Sequence, residues 1–133
     1  MSQNVPENAD MCFVCGIKNP IGLKIKFEAT EDTCIGYFKA NETHVGYDNT
    51  VHGGIIFSAL DDVMANVLYL NNIKAHTAQC EIRYRKALEI DHEVKLIGKV
   101  TAKKRRLITL SGQAISTSTN DVIAECEAKF MTI

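Results

Sequence analysis

One stretch of helical periodicity constrains this chain more than any other feature of its sequence. Apolar residues recur at spacings of three and four from Ile55 to Leu70, and neither proline nor glycine interrupts that stretch. Its apolar face is broad, which predicts a well-buried helix. No other segment predicts a convincing helix, so the rest of the fold must be arranged around this one.

Alternation of apolar and polar residues predicts strands on both sides of the helix. Before it, Leu23, Ile25 and Phe27 alternate with charged residues, and residues 34–38 complete a candidate hairpin. Residues 41–52 look irregular. Strand-like segments follow the helix at 77–84, 93–102, 107–116 and 122–133. The order β-β-α-β-β-β-β with short joins predicts an α+β fold, in which an antiparallel sheet curls around one long central helix.

The length and charge of the chain limit its possible roles. With 133 residues and 46% hydrophobic content, we expect one domain over 1–133, with residues 1–20 as an N-terminal lead-in. A net charge of -1 gives no basic field for nucleic acid. No apolar stretch is long enough to span a membrane, and the polar start is unlike a secretory signal. We therefore expect a cytoplasmic protein without nucleic-acid or membrane partners.

The start of the helix and one carboxylate on it are the candidate catalytic groups. His52-Gly53-Gly54 leads directly into the helix, whose first amides lack internal acceptors and are suited to a developing oxyanion. An ordinary glycine-containing helix start with His52 near the cap is the alternative. Asp61 has apolar neighbours, so we expect it to be partly buried and tuned as a general base. For Asp62 we expect a solvent-exposed position at the helix edge.

The spacing of these groups predicts a site shared between subunits. Asp61 lies two helical turns beyond Gly54, about 10–11 Å along the axis. A base and an oxyanion donor that serve one carbonyl must each lie within roughly 3 Å of the reacting atoms. We therefore expect a homodimer in which one subunit supplies the amide and the other the carboxylate. Exposed sheet edges favour such pairing.

Several short motifs stand in a fixed order along the chain. They are Cys12-Phe13-Val14-Cys15-Gly16, Asn19-Pro20-Ile21-Gly22-Leu23, His52-Gly53-Gly54, Leu60-Asp61 and Tyr84. Together they resemble the hotdog-fold acyl-CoA thioesterase superfamily, in particular its phenylacetate-pathway-type and 4-hydroxybenzoyl-CoA thioesterase-like members. The resemblance runs from about Cys12 to the C-terminus. It implies a hotdog fold, assembly as dimers or dimers of dimers, and hydrolysis of acyl-CoA to free acid and CoA.

The resemblance also implies roles for individual residues. Asp61 matches the helix carboxylate that acts as general base or nucleophile, Gly53 the amide that polarises the thioester carbonyl, and Thr77 a strand hydroxyl that orients water. The family often has an Asn or Gln shortly before His-Gly-Gly. The aligned position here is Gly46, and the nearby Asn49 is the candidate for that substrate-binding role.

Charged residues and cysteines supply the remaining candidates. The CoA phosphates could meet Arg83, Lys86, Lys103, Arg105 or Arg106, although charge runs at hairpin tips are usually only solvated. Cys12 and Cys15 could be half a zinc site, but no second C-x-x-C or H-x-x-x-H occurs, so we expect no metal and no cofactor. Five cysteines, an odd number, predict free thiols.

Two other functions remain open at the level of sequence. A hotdog dehydratase or hydratase would need a His paired with an acid. His52 and Asp61 are the candidates, but they belong to the same helix and are too far apart along it to act on one group. A non-catalytic acyl-CoA-binding protein could use the same fold, because fold alone does not establish activity.

Overall fold

The computed structural model describes residues 9–133, which form one long helix and a large antiparallel sheet. Helix α1 spans Gly53–Tyr69, and a short 3-10 helix spans Glu42–His44. The strands are β1 Phe27–Ala29, β2 Thr33–Lys39, β3 Val45–Tyr47, β4 Thr50–Val51, β5 Ala75–Tyr84, β6 Glu93–Lys104, β7 Leu107–Ser116 and β8 Val122–Thr132.

Six of the strands form the main sheet in the order β1-β2-β6-β7-β8-β5, with every neighbouring pair antiparallel. Strands β3 and β4 form a separate small ribbon. Arg105 and Asn120 adopt the left-handed backbone conformation, with φ of 56° and 64°, at the turns that follow β6 and β7. The predicted α+β architecture is confirmed, and β5 is left at one edge of the sheet.

The core lies between α1 and the sheet. Leu60, Val63 and Met64 are fully buried on the helix, and Leu110 and Phe130 reach them from the sheet. Burial of such side chains contributes about 1.5–3 kcal/mol each, which is why the broad apolar face predicted a buried helix. None of the helices in residues 9–133 has the length and apolar character needed to cross a membrane.

The region before α1 departs from the predicted pattern. Strand β1 is only three residues long, although Ile25 and Phe27 are both buried. The amide of Ile25 donates to the carbonyl of Val14, so the alternating segment first pairs with the lead-in and only later with β2. Strands β3 and β4 lie in the stretch predicted to be irregular, since three- and two-residue strands leave too little pattern to detect.

All five cysteines are free thiols, as the odd number predicted. Cys34 and Cys126 are buried within strands, and Cys80 is half-buried. Cys12 and Cys15 precede the sheet and pack near α1, a location that becomes important below.

Candidate active site

A carboxylate on α1 and a hydroxyl on β5 meet at the open edge of the sheet. Thr77 Oγ1 donates a hydrogen bond of 2.9 Å to Asp61 Oδ1. Asp61 is half-buried and Thr77 is exposed, so the pair is held in place and still accessible to solvent. An ordered hydroxyl beside a carboxylate is the arrangement that positions and activates a water molecule.

A bulge in β5 gives Thr77 its orientation. Thr77 pairs with Phe130 and Gln79 pairs with Lys129, so Ala78 is an extra residue in the β5–β8 ladder. Cys80 and Ala75 both pack against the core, although strict alternation would place residues five apart on opposite faces. The extra residue at the bulge places Ala75 and Cys80 on the same face of the sheet and turns the side chain of Thr77 toward α1.

The first turn of α1 contains one amide without an acceptor. His52 is the N-cap residue, and its Nδ1 accepts a hydrogen bond of 2.8 Å from the amide of Gly54. The amides of Ile55 and Ile56 donate to the carbonyl oxygen of His52. Within residues 9–133, the amide of Gly53 has no such acceptor. Gly53 is therefore the donor at this helix start that remains available for a developing negative charge.

Neither glycine of the His-Gly-Gly motif uses the conformational freedom that is special to glycine. Among residues 9–133, no glycine has a positive φ, and Gly53 and Gly54 lie within α1. A Cβ added at Gly53 would meet the ring of Tyr84 at 3.4 Å, which is ordinary contact. A Cβ at Gly54 would lie 3.0 Å from Nδ1 of His52, so the glycine there leaves room for the side chain that caps the helix.

Tyr84 fastens the other end of β5 to the helix start. Its hydroxyl donates a hydrogen bond of 2.9 Å to the carbonyl oxygen of Gly53, and partial burial raises the pKa of this phenol. In the sequence, Tyr84 is a motif residue that ends a strand, and no function is predicted for it. A tyrosine at the end of a strand carries no signal for a contact 31 residues away, so this anchor was found only in the structure.

Close packing explains why a glycine stands at position 46. A Cβ at Gly46 would lie 2.9 Å from the Cα of His52, so a side chain there would push against the cap of α1. Asn49 lies in the turn between β3 and β4 with a φ of 63°, and its carbonyl oxygen accepts from the amide of Ile90. The side chain of Asn49 is exposed.

Asp62 does not occupy the solvent-exposed edge predicted for it. Its carboxylate points toward the N-terminal segment, where Cys12 Sγ lies 3.8 Å from Oδ1 and Asn66 Nδ2 donates to Oδ2 at 3.0 Å. Burial raises the pKa of Asp62 above its usual value. The prediction was wrong because the lead-in, whose position cannot be inferred from helical periodicity, covers this side of α1.

The candidate phosphate ligands fall into separate regions. Lys86 lines a cavity of about 280 Å³ together with Gly53 and Tyr84, and it forms an ion pair with Asp121 at 3.1 Å. Arg83 lines a cavity together with Arg85 and three glutamates, Glu81, Glu125 and Glu127. The negative charges outnumber the two guanidinium groups and oppose the binding of phosphate.

The basic turn after β6 lies across the sheet from Lys86. Lys103 pairs with Ile108 next to the turn, and Arg105 occupies its left-handed position. The guanidinium of Arg106 donates to the carbonyl oxygen of Thr132 at 2.9 Å, so part of its hydrogen-bonding capacity is already used.

Within one chain, Asp61 and Gly53 are not brought together. Both lie on α1, eight residues apart, which corresponds to about 12 Å along a helix axis. The structure instead places Asp61 next to Thr77 at one end of β5 and Gly53 next to Tyr84 at the other. The chain therefore keeps the carboxylate and the free amide at separate positions, one near each end of β5.

Comparison with solved structures places the fold among known proteins. The thioesterase superfamily protein RHA08564 aligns with a TM-score of 0.85 at 23% identity, covering 92% of this chain and 60% of that longer one. The Escherichia coli PaaI protein, from the phenylacetic acid degradation operon, aligns with a TM-score of 0.78 at 15% identity, covering 84% of this chain and 80% of that one.

A hypothetical thioesterase of Streptococcus pneumoniae TIGR4, solved with coenzyme A, aligns with a TM-score of 0.77 at 15% identity, covering 82% of this chain and 85% of that one. These similarities confirm the hotdog arrangement. A search of curated proteins finds no significant match. The sequence profile of the Thioesterase superfamily matches residues 48–123, which include α1 and most of the sheet. On that match, the chain belongs to the thioesterase superfamily.

Proposed function

We propose that this protein hydrolyses acyl-CoA thioesters, with Asp61 as the catalytic carboxylate. The observation that carries the proposal is the hydrogen bond from Thr77 to Asp61, which fixes a hydroxyl and a carboxylate side by side at an accessible edge. Membership of the thioesterase superfamily supports the reaction class. The similar Streptococcus pneumoniae protein was solved with coenzyme A, which supports CoA as the thiol portion of the substrate.

Two variants of that streptococcal protein add support. One replaces an aspartate and the other a threonine, in each case by alanine, and the two positions are sixteen residues apart. Asp61 and Thr77 are separated by the same number of residues. The matching residue types and spacing favour a working pair.

The chemistry would proceed through a tetrahedral intermediate. In one route, Asp61 removes a proton from a water held by Thr77, and the water oxygen attacks the thioester carbonyl carbon. In the other route, the carboxylate attacks directly and water then cleaves the resulting anhydride. In both routes, the carbonyl oxygen becomes an anion that the Gly53 amide stabilises, and the C–S bond breaks to release CoA, which takes up a proton.

The separation of the carboxylate from the free amide supports a dimer that shares its active sites. Strand β5 is an edge strand of ten residues with mostly exposed side chains, a surface that invites pairing with a second copy. A twofold axis near the middle of β5 would pair it antiparallel with its counterpart. The Thr77 end of one strand would then lie opposite the Tyr84 end of the other, which brings Asp61 of one subunit toward Gly53 of the second. Further assembly into a dimer of dimers stays a prediction.

The dehydratase alternative receives no support from the contacts of His52. That chemistry needs a histidine able to exchange protons with the substrate next to an acid. Here Nδ1 of His52 is engaged in capping α1, and Asp61 is bonded to Thr77 instead. The non-catalytic binder is best separated from the hydrolase by experiment.

The test is thiol release from a panel of short, medium, long and aryl acyl-CoAs by wild type and Asp61→Ala. Asp32→Ala is the matched control, because Asp32 is exposed and lies between β1 and β2 at the far edge of the sheet. We expect turnover by wild type and the control, and a loss of about 10²- to 10⁴-fold in Asp61→Ala. Acyl-CoA binding without release by wild type would favour the binder. Formation or loss of enoyl-CoA absorbance would favour the dehydratase.

A further inference from the structure

Two cysteines of the N-terminal lead-in and one carboxylate of α1 converge beside the helix, at a position separate from the functional pair. The ligand atoms of Cys12, Cys15 and Asp62 all lie within 4.8 Å of one another. We propose that these three residues bind a zinc ion. This proposal does not depend on the hydrolase activity, since neither Asp61 nor Thr77 belongs to the cluster.

The distances between Cys12 and Asp62 are close to those of a tetrahedral zinc site. With Zn–S of about 2.3 Å and Zn–O of about 2.0 Å, a tetrahedral angle places a sulfur and an oxygen ligand about 3.5 Å apart. Cys12 Sγ lies 3.8 Å from Asp62 Oδ1 and 4.0 Å from Oδ2. A shift of a few tenths of an ångström would therefore bring Cys12 and Asp62 to the separation that a shared zinc ion requires.

The donor set favours zinc among the common biological metals. Cys12 and Cys15 form a C-x-x-C pair, the spacing used by structural zinc sites, and thiolates select soft or borderline ions. Calcium and magnesium prefer a shell made of oxygen ligands. Only two ligands could be recognised in the sequence, because the third, Asp62, lies 50 residues beyond Cys12.

Outer hydrogen bonds already orient two of the three ligands. The amide of Cys15 donates to Cys12 Sγ at 3.5 Å. Nδ2 of Asn66 donates to Asp62 Oδ2 at 3.0 Å and to its carbonyl oxygen at 2.9 Å, and Asn66 is only 5% exposed. Such second-layer partners fix ligand geometry in metal sites. The hydrogen bonds from Asn66 hold the carboxylate of Asp62 in one orientation, whereas a carboxylate exposed to solvent would be mobile.

A tight backbone turn presents the two sulfurs on the same side. The amide of Gly16 donates to the carbonyl oxygen of Cys12 at 2.8 Å. A Cβ at Gly16 would lie 2.4 Å from both the amide nitrogen of Cys12 and the carbonyl oxygen of Asp10. Only glycine fits this close approach, so the turn that follows Cys15 depends on it.

Charge balance also favours a cation at this position. Within residues 9–133, no lysine, arginine or histidine forms an ion pair with Asp62. An acidic group that is withdrawn from solvent and has no counter-charge costs stability, and a divalent ion would supply that charge.

The remaining coordination position faces a cavity. Cys12, Cys15 and Asp62 line a space of about 350 Å³ that His76 also lines, although His76 does not belong to the group of atoms within 4.8 Å. Zinc with three protein ligands takes a solvent molecule or another donor in its fourth position. The bound ion would cross-link the lead-in to α1 and stabilise the folded chain.

The experiment uses cobalt as a spectroscopic substitute for zinc. The full-length protein, reduced and stripped of metal with a chelator, is titrated with Co²⁺ and then with Zn²⁺. We expect one Co²⁺ per chain, a thiolate-to-cobalt charge-transfer band, loss of the band when Zn²⁺ displaces Co²⁺, and a higher Tm with Zn²⁺. Absence of the charge-transfer band in wild type would overturn the proposal without the need for any variant.

Variants then locate the site. Because loss of one outer partner weakens metal binding by about 10- to 100-fold, Cys12→Ser combined with Cys15→Ser should weaken it by at least about 100-fold. Asp62→Asn should lower the affinity and shift the cobalt spectrum. Cys80→Ser is the matched control, since Cys80 is a half-buried thiol outside the cluster, and it should bind like wild type. Equal binding by the double variant and wild type would overturn the assignment.

Discussion

Thr77 on β5 and Asp61 on α1 are joined by a hydrogen bond of 2.9 Å. The bond depends on the bulge at Ala78, since a regular strand would turn the Thr77 side chain to the other face of the sheet. A local irregularity in β5 therefore decides whether the carboxylate has a partner at all. This makes the pair a sensitive target for experiment.

Replacing Thr77 by alanine should lower kcat with little change in KM. The carboxylate would remain, but the hydroxyl that orients the water would be lost, and misplacement of a reacting group costs up to about 10²-fold in rate. Steady-state thiol release measures both constants. Thr77→Ser keeps the hydroxyl and should recover most of kcat, whereas full activity in Thr77→Ala would remove Thr77 from the mechanism.

Replacing Gly53 by proline should remove the proposed oxyanion donor without disturbing the helix. Proline is well accepted at the first helical position, and the φ of -57° and ψ of 131° at His52 suit a residue that precedes proline. Loss of one such donor lowers kcat by about 10²- to 10³-fold.

Gly53→Ala is the matched control for the proline variant. It keeps the amide, and its added Cβ would make ordinary contact with Tyr84 at 3.4 Å. Thiol release should therefore remain close to the wild-type rate in Gly53→Ala. Equal activity of the alanine and proline variants would show that the amide of Gly53 is not used.

Two inactive variants should restore activity when their subunits are mixed, if the sites are shared. A heterodimer of Asp61→Asn and Gly53→Pro subunits would contain one intact site, with the amide from the first subunit and the carboxylate from the second. With random exchange, about a quarter of wild-type activity should return. Subunit exchange is checked by native mass spectrometry. Complete exchange without recovery would contradict the shared site.

Lys86→Ala should raise KM for acyl-CoA and leave kcat nearly unchanged. Lys86 lines the same cavity as Gly53, and loss of one hydrogen bond to a charged group costs about 1.5–3 kcal/mol, or roughly 10- to 100-fold in binding. Lys26→Ala serves as control, since Lys26 is exposed and precedes β1 at the opposite edge of the sheet. Matching KM values in the two variants would exclude Lys86 as a phosphate ligand.

His52→Ala should destabilise the fold. The side chain of His52 caps α1, and loss of an N-cap costs about 0.5–2 kcal/mol of unfolding free energy. Urea denaturation followed by circular dichroism measures this quantity. His52→Asn retains a capping acceptor and should recover most of the stability. Unchanged stability in His52→Ala would show that the cap contributes little.

The sequence predicted the elements better than it predicted their partners. The helix, expected from Ile55 to Leu70, begins two residues earlier because its cap lies at His52. The alternating segments became strands, except that the segment at Ile25 pairs first with the lead-in. Asp61 is half-buried, as the sequence predicted, but Asp62 is not the solvent-exposed residue expected, since adjacent helical residues point about 100° apart and both border the apolar face.

By itself the sequence determined what short-range physical chemistry controls: one buried helix, an antiparallel sheet around it, and an N-terminal helix cap at His-Gly-Gly. Tertiary structure alone decided which groups meet. The bulge at Ala78 turns Thr77 to Asp61, and the lead-in brings Cys12 to Asp62 across 50 residues. The physical reason is that periodicity records which side of an element is buried, whereas contacts between distant side chains depend on strand register and on the path of the connecting chain.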